Sequence, residues 1–152
     1  MKKHMSLMGI AWKILVVLLV TLAATAAIHY LLTPDFRITE DTQTLLIVAA
    51  AMVLVGFGLN LAAGLGMMRA HKNGQLATGG LYAVFLNPMY TFQVFVTVPG
   101  LLLLFNSWVI MLTVIPLIIA FGVFKKEEET YLHEKFADQY LDYREKVLFK
   151  FL

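Results

Sequence analysis

The 152 residues predict an all-α integral membrane fold of about four transmembrane helices, the last two a helical hairpin, followed by a C-terminal cytoplasmic amphipathic helix. Three observations predict it. The chain is 60% hydrophobic and 14% charged, with a mean hydropathy of +0.77, too apolar for a soluble domain of this size. Ile14 to Pro34, Thr42 to Met68 and Asn73 to Phe124 contain no Asp, Glu, Lys or Arg. After Phe124 the chain turns abruptly polar, at Lys125-Lys126-Glu127-Glu128-Glu129. One membrane domain, 1–152, accommodates all of this.

The first span is predicted over 10–32, behind the basic residues Lys2, Lys3, His4 and Lys13. At ~1.5 Å per residue its apolar run crosses the ~30 Å hydrocarbon layer. A signal peptide is the competing reading, from Ala24-Thr25-Ala26. Apolar residues continuing through Ala27, Ile28, Leu31 and Leu32 favour an uncleaved anchor. His29, near the far interface, reads as structural. The short polar connection Asp35–Gln43 leads to the second span, 44–68. There Gly58, Ala62 and Gly66 recur every fourth residue, a small-residue stripe that invites close approach of another helix. Asn60, strongly polar in that span, is expected to hydrogen-bond across helices, with pocket lining as the alternative.

Arg69, His71 and Lys72 close that helix, and 73–87 reads as a loop. It is uncharged and half apolar, so at membrane depth it must fold back onto protein or line a cavity. Asn87-Pro88 marks a helix start, because proline fits the first helical turn and biases the residue before it away from the α region. Such a start presents unpaired N–H groups to an anion. The third and fourth spans, 88–105 and 107–124, meet at Asn106-Ser107 and carry kink signals at Pro99-Gly100 and Pro116. Leu132, Phe136, Tyr140, Tyr143, Val147 and Phe151 then form one apolar stripe, predicting an amphipathic helix over 126–150. Its other face is acidic, with Glu127, Glu134, Asp138, Asp142 and Glu145. That face disfavours adsorption to anionic lipid and favours packing on the protein's own cytoplasmic side. Basic residues concentrate at both ends and at Arg69–Lys72, which places both termini in the cytoplasm.

Several functions are disfavoured. The formal charge is only +2 and the basic residues sit at segment ends, a poor basis for nucleic-acid binding. The absence of cysteine removes disulfides, thiolate metal sites and a cysteine nucleophile. His4, His29, His71 and His133 are scattered, without metal-binding spacing.

On a continuous helix of 100° per residue, Glu129 falls within the apolar stripe, Glu128 at its edge and Glu127 almost opposite. Glu127 therefore reads as a solvated end-of-helix charge. An inward carboxylate at the membrane surface needs a cationic or hydrogen-bonding partner. Lys125, Lys126 and His133 are nearby candidates. A helix start suited to an anion and carboxylates suited to a cation together suit a zwitterionic cofactor.

Thr78-Gly79-Gly80-Leu81-Tyr82, Leu86-Asn87-Pro88-Met89-Tyr90, and Glu128-Glu129 followed by Leu132, Phe136, Tyr140 and Tyr143 resemble the signature of the membrane methyltransferases. That superfamily includes isoprenylcysteine carboxyl methyltransferases and phospholipid N-methyltransferases. The resemblance covers roughly Leu76 to Val147. It implies S-adenosylmethionine as cofactor, with Gly80, Tyr82, Asn87, Pro88, Tyr90, Glu128 and Glu129 as cofactor-binding residues. It also implies a lipid-like or lipidated acceptor: an isoprenylcysteine carboxylate, a phospholipid amine or similar. The short chain resembles a bacterial or archaeal member of the cytoplasmic membrane. Two positions depart from the family pattern. Leu86 stands where an arginine is common, which leaves Lys72, Arg144 or the helix dipole to meet the cofactor's carboxylate. Ala137 stands where a glycine follows Phe136. A sterol- or steroid-type membrane reductase using NADPH and a non-enzymatic membrane scaffold are the alternatives.

Overall fold

A computed structural model describes residues 10–32 and 35–150. Lys2, Lys3, His4, Pro34 and Phe151 lie outside the described residues. The architecture is all-helical, with two isolated bridges and no strands among the described residues. The elements are α1 (Ala11–Leu31), α2 (Thr42–Lys72), the single turn α3 (Leu81–Val84), α4 (Pro88–Leu103), α5 (Trp108–Phe136) and α6 (Asp138–Lys146).

Three of these helices, α1, α2 and α5, are long and apolar enough to cross a membrane. The expectation of four meets a shorter α4. Its run from Pro88 to Leu103 extends only about 24 Å, less than the hydrocarbon thickness. A span there is predicted over 88–105, but the chain leaves the helix after Leu103 and turns through Asn106, whose φ is +45°.

Both proline signals produce their distortion one turn upstream. Pro99 has no N–H to give to the preceding turn. That turn, Gln93–Thr97, is a π-helix, closed in part by the Thr97 hydroxyl donating to the Phe92 carbonyl at 3.2 Å. Near Pro116 the bonds tighten to i→i−3, from Thr113 N to Ile110 O and from Ile115 N to Leu112 O.

Helices α2 and α4 pack together, as do α1 and α5. Ile10, Ile14, Val94, Val98, Leu102, Ile110, Leu117 and Phe121 form a core shared by α1, α4 and α5. Thr25 and the fully buried Thr113 share a hydrogen bond of 2.8 Å between α1 and α5. The close approach of α2 to α4 does not use the Gly58–Ala62–Gly66 stripe. A Cβ on Gly58 or Gly66 would meet nothing, whereas one on Gly56 would lie 2.5 Å from Thr97 Oγ1. A Cβ on Gly100 would likewise lie 2.8 Å from the Met52 Cβ. The predicted stripe therefore faces outward, and the buried face of α2 runs through Ala49, Gly56 and Ala63. Asn60 does bond across helices, donating to Gln93 Oε1 at 3.0 Å.

A second cluster joins the 73–87 segment to the C-terminal region. Leu86, Tyr140, Tyr143 and Val147 are buried there, with Leu76, Tyr82, Leu132 and Phe136 packed against them. The stripe from Leu132 to Val147 thus packs inward as its periodicity predicts, yet one helix does not carry it. Helix α5 continues unbroken to Phe136, reverses at Ala137 (φ +45°, ψ −122°), and α6 carries the tyrosines back. Beyond Val147, Phe149 pairs with the loop: its N–H donates to the Val84 carbonyl at 2.8 Å, and its ring stacks on Phe85.

Candidate functional site

Where the two clusters meet, a cavity of about 340 Å³ opens between the C-terminal end of α2, the start of α4, the end of α5 and α6. Met67 and His71 reach it from α2, Asn87, Met89 and Tyr90 from the start of α4, and Glu128, Leu132 and Lys135 from α5. Tyr82 and Tyr143 form the wall formed by the folded-back segment and α6.

Local sequence explains each placement. Pro88 occupies the first turn of α4 and is fully buried, and the Asn87 carbonyl accepts the first intrahelical bond from Thr91 N at 3.0 Å. Asparagine at this position usually caps through its side chain. Here the side chain makes no capping bond. Its Nδ2 is buried without a hydrogen-bond partner, and the residue lines the cavity. Gly80 precedes α3 at φ +62° and ψ −126°, a conformation open to glycine and costly for other residues. It does not line the cavity but fixes the turn that delivers Tyr82. The Tyr143 hydroxyl donates to the Tyr82 carbonyl at 2.8 Å, locking α6 to that turn.

The three glutamates diverge. Glu128 lines the cavity together with Tyr90, and its Oε2 is buried without a partner. Glu129 turns away from the cavity toward Arg144 at 3.5 Å and Lys125 at 4.0 Å. Glu127 is held by Lys13 of α1, with the ammonium hydrogen-bonded to both carboxylate oxygens. Glu128 rather than Glu129 thus faces the cavity, while Glu127 stays the exposed one of the three, as the helical wheel has it, with Lys13 as its ion-pair partner. The wheel assumed a single helix from 126 to 150. The reversal at Ala137 makes the tyrosine stripe a poor guide to which face of α5 looks into the site.

Tyr82, Asn87, Tyr90 and Glu128 are thus brought together at one cavity. Gly80, Pro88 and Glu129 support it from behind. Leu86 also lines it, and the basic side chains present are Lys135 and His71 rather than Lys72 or Arg144. Lys135 belongs to none of the motifs that the sequence offers. It packs over the rings of Phe136 and Tyr131 at 5.2 and 5.8 Å, which carries its ammonium toward the cavity. Burial, reinforced by the Glu128 charge, raises the Tyr82 hydroxyl well above the usual tyrosine range. Burial pushes Tyr140 up to about 12. These phenols remain neutral hydrogen-bonding groups at physiological pH.

A donor set of this kind suits a zwitterion. Glu128 Oε2 is an acceptor for a cationic centre, Asn87 Nδ2 is a donor for a carboxylate, and the Lys135 ammonium and the His71 imidazole line the same cavity. Leu76, Leu132, Phe136 and Tyr131 supply an apolar and aromatic wall for a planar ring.

A sequence profile described as phospholipid methyltransferase matches residues 44–139. Neither the curated proteins nor the solved structures searched gave a match.

Proposed function

The chain belongs to the phospholipid methyltransferase family, and from that premise we propose that it transfers a methyl group from S-adenosylmethionine to a lipid-like acceptor drawn from the bilayer. One observation carries the reading. A buried carboxylate oxygen and a buried carboxamide N–H group, Glu128 Oε2 and Asn87 Nδ2, both lack protein partners on residues that line the same cavity. Each such group costs on the order of 1–3 kcal/mol if left unsatisfied, so a ligand that meets both recovers a substantial part of that cost.

When bound, S-adenosylmethionine supplies an electrophilic methyl group on a sulfonium. The residues of this chain hold and orient. Glu128, beside Tyr90 on the cavity wall, attracts the cationic part of the cofactor. Asn87, Lys135 and His71 receive its carboxylate, replacing the arginine that relatives carry at the position of Leu86. The segment 73–87, pinned through Tyr82 to Tyr143 and through Val84 to Phe149, covers the site and limits water. Glu129 acts at one remove by fixing Arg144 and so α6 against α5.

Methyl transfer from a sulfonium is an in-line displacement whose charge is neutralised as it proceeds, so positioning and water exclusion do most of the work. It needs neither a metal nor a covalent nucleophile. Calorimetric titration of the detergent-purified protein with S-adenosylmethionine and, separately, NADPH tests the reading. Saturable binding of the first alone is expected. Binding of NADPH alone points to a reductase, and binding of neither to a scaffold. Supplying membranes with methyl-labelled cofactor then identifies the acceptor, with label expected in lipid rather than in protein.

A further inference from the structure

The face of α2 that reaches the cavity does not end there. His71 and Met67 line the cavity, and Gly64 and Asn60 continue the same face deeper into the bilayer, at spacings of four, three and four residues. On α4 the matching line runs from Met89, whose methyl lies against Gly64, to Gln93 and Thr97. The two lines are joined by Asn60 Nδ2, which donates to Gln93 Oε1 at 3.0 Å and to Thr97 Oγ1 at 3.4 Å.

Gln93 is the anomaly in this seam. It lies in an apolar helix at membrane depth, yet it is exposed rather than buried. Its oxygen is engaged by Asn60, while its Nε2 has no hydrogen-bond partner among the described residues. An amide N–H group turned toward hydrocarbon is costly. A structural role alone does not explain the exposure, because interhelical amide pairs are normally turned inward. Gln93 also opens the π turn that the fold builds here, a distortion often found at functional positions.

We propose that Gln93, oriented by Asn60, is a specificity-determining residue that donates a hydrogen bond to an acyl ester carbonyl of the lipid acceptor, whose head group occupies the cavity above. The inference rests on the methyltransferase reading and deepens it to an ester-linked glycerophospholipid. Geometry favours that occupant. Asn60 is about 10 Å along α2 from Met67 at the cavity, a depth at which a lipid with its head group in the site carries its glycerol esters. Those esters are acceptors without donors, the complement of the Gln93 amide.

The test compares two acceptors that share head group and chains. Wild-type protein in vesicles is given diacyl phosphatidylethanolamine or its dialkyl ether analogue, which lacks the ester carbonyls. The expected result is an apparent KM about tenfold lower for the diester, the size of one good hydrogen bond, with similar kcat for both. Gln93→Leu is expected to abolish that difference while S-adenosylmethionine affinity, read by calorimetry, stays unchanged. Equal KM values in the wild type, or a diester preference retained in Gln93→Leu, overturn the proposal. A change in oligomeric mass of Gln93→Leu with the KM ratio intact also overturns it, assigning the residue to a contact between copies of the chain. If Gln93→Leu loses cofactor binding and so fails to fold, the wild-type diester–diether comparison decides alone. A wild type that binds cofactor and methylates neither lipid rejects the acceptor class itself, an outcome distinct from the loss of this one contact.

Discussion

Two asparagines at opposite ends of the bundle show how the same residue type serves structure at one end and a site at the other. Asn106, between α4 and α5, is fully used. Its Oδ1 accepts from the backbone N–H groups of Ile38 and Thr39, and its Nδ2 donates to the Thr39 carbonyl at 2.9 Å. Around it, buried Ser107 caps α5, and Arg37 pairs with Asp35 and Glu40. Asn87, at the start of α4, leaves its buried Nδ2 unpaired, as Glu128 leaves Oε2. Buried polar groups in native proteins are nearly always satisfied. The far end holds one such group as well, His29 Nδ1, but at the cavity two of opposite character line the same space, and that pairing is what favours the cavity end as the binding end.

The largest expected effect separates these roles directly. Glu128→Gln removes the cavity's carboxylate charge and should weaken S-adenosylmethionine binding by roughly 10- to 100-fold, the scale of a charge-assisted hydrogen bond. Glu129→Gln, which breaks only ion pairs behind the site, should cost less than about fivefold. Calorimetric Kd values for the two variants check this, and equal losses would erase the distinction between lining and support. At the far end, Asn106→Ala deletes three hydrogen bonds and should lower stability by about 2–3 kcal/mol while leaving cofactor affinity unchanged. Denaturant unfolding in detergent, run beside the same titration, measures both.

Between the ends, the packing of α2 on α4 shows what the sequence could and could not reveal. Apolar length identified three helices able to span and overcalled the fourth, and the 4–4–3–4 spacing identified the stripe that closes over the loop. Asn-Pro identified the start of α4. Helical rotation was not legible: α2 contains Gly56, Gly58, Gly64 and Gly66, and repetition alone favoured the wrong set. Which glycine faces α4 depends on the π turn at Gln93–Thr97, a distortion with no local signature beyond the proline downstream. The same limit applied to Glu128, because the left-handed reversal at Ala137 carries no turn residue to announce it. Gly56→Ala drives a methyl against Thr97 Oγ1 and the Thr97 backbone and should cost about 1–3 kcal/mol. Gly58→Ala meets nothing and should stay within about 0.5 kcal/mol of wild type. Similar unfolding midpoints for both would mean that the helices approach on another face.

The smallest expected effect returns to the two ends, because each contains a non-glycine residue at φ +45°, Asn106 and Ala137. Asn106 offsets that conformation through its side-chain bonds. Ala137 has no side chain with which to do so, and its ψ of −122° places it in the conformation that Gly80 adopts before α3. Non-glycine residues in such regions carry on the order of 1–3 kcal/mol of strain, against which glycine loses more chain entropy on folding. The balance predicts that Ala137→Gly stabilises the protein by about 0.5–1 kcal/mol, raising Tm by roughly 2 °C, with cofactor affinity unaltered because Tyr143 still bonds to Tyr82. Asn106→Gly relaxes the same φ but discards three hydrogen bonds, so it should destabilise. Thermal unfolding of the pair reads the comparison as a difference in sign. A loss of stability in Ala137→Gly would show that the strain at the cavity end is already relieved by the packing of α6, and that the two reversals are equivalent after all.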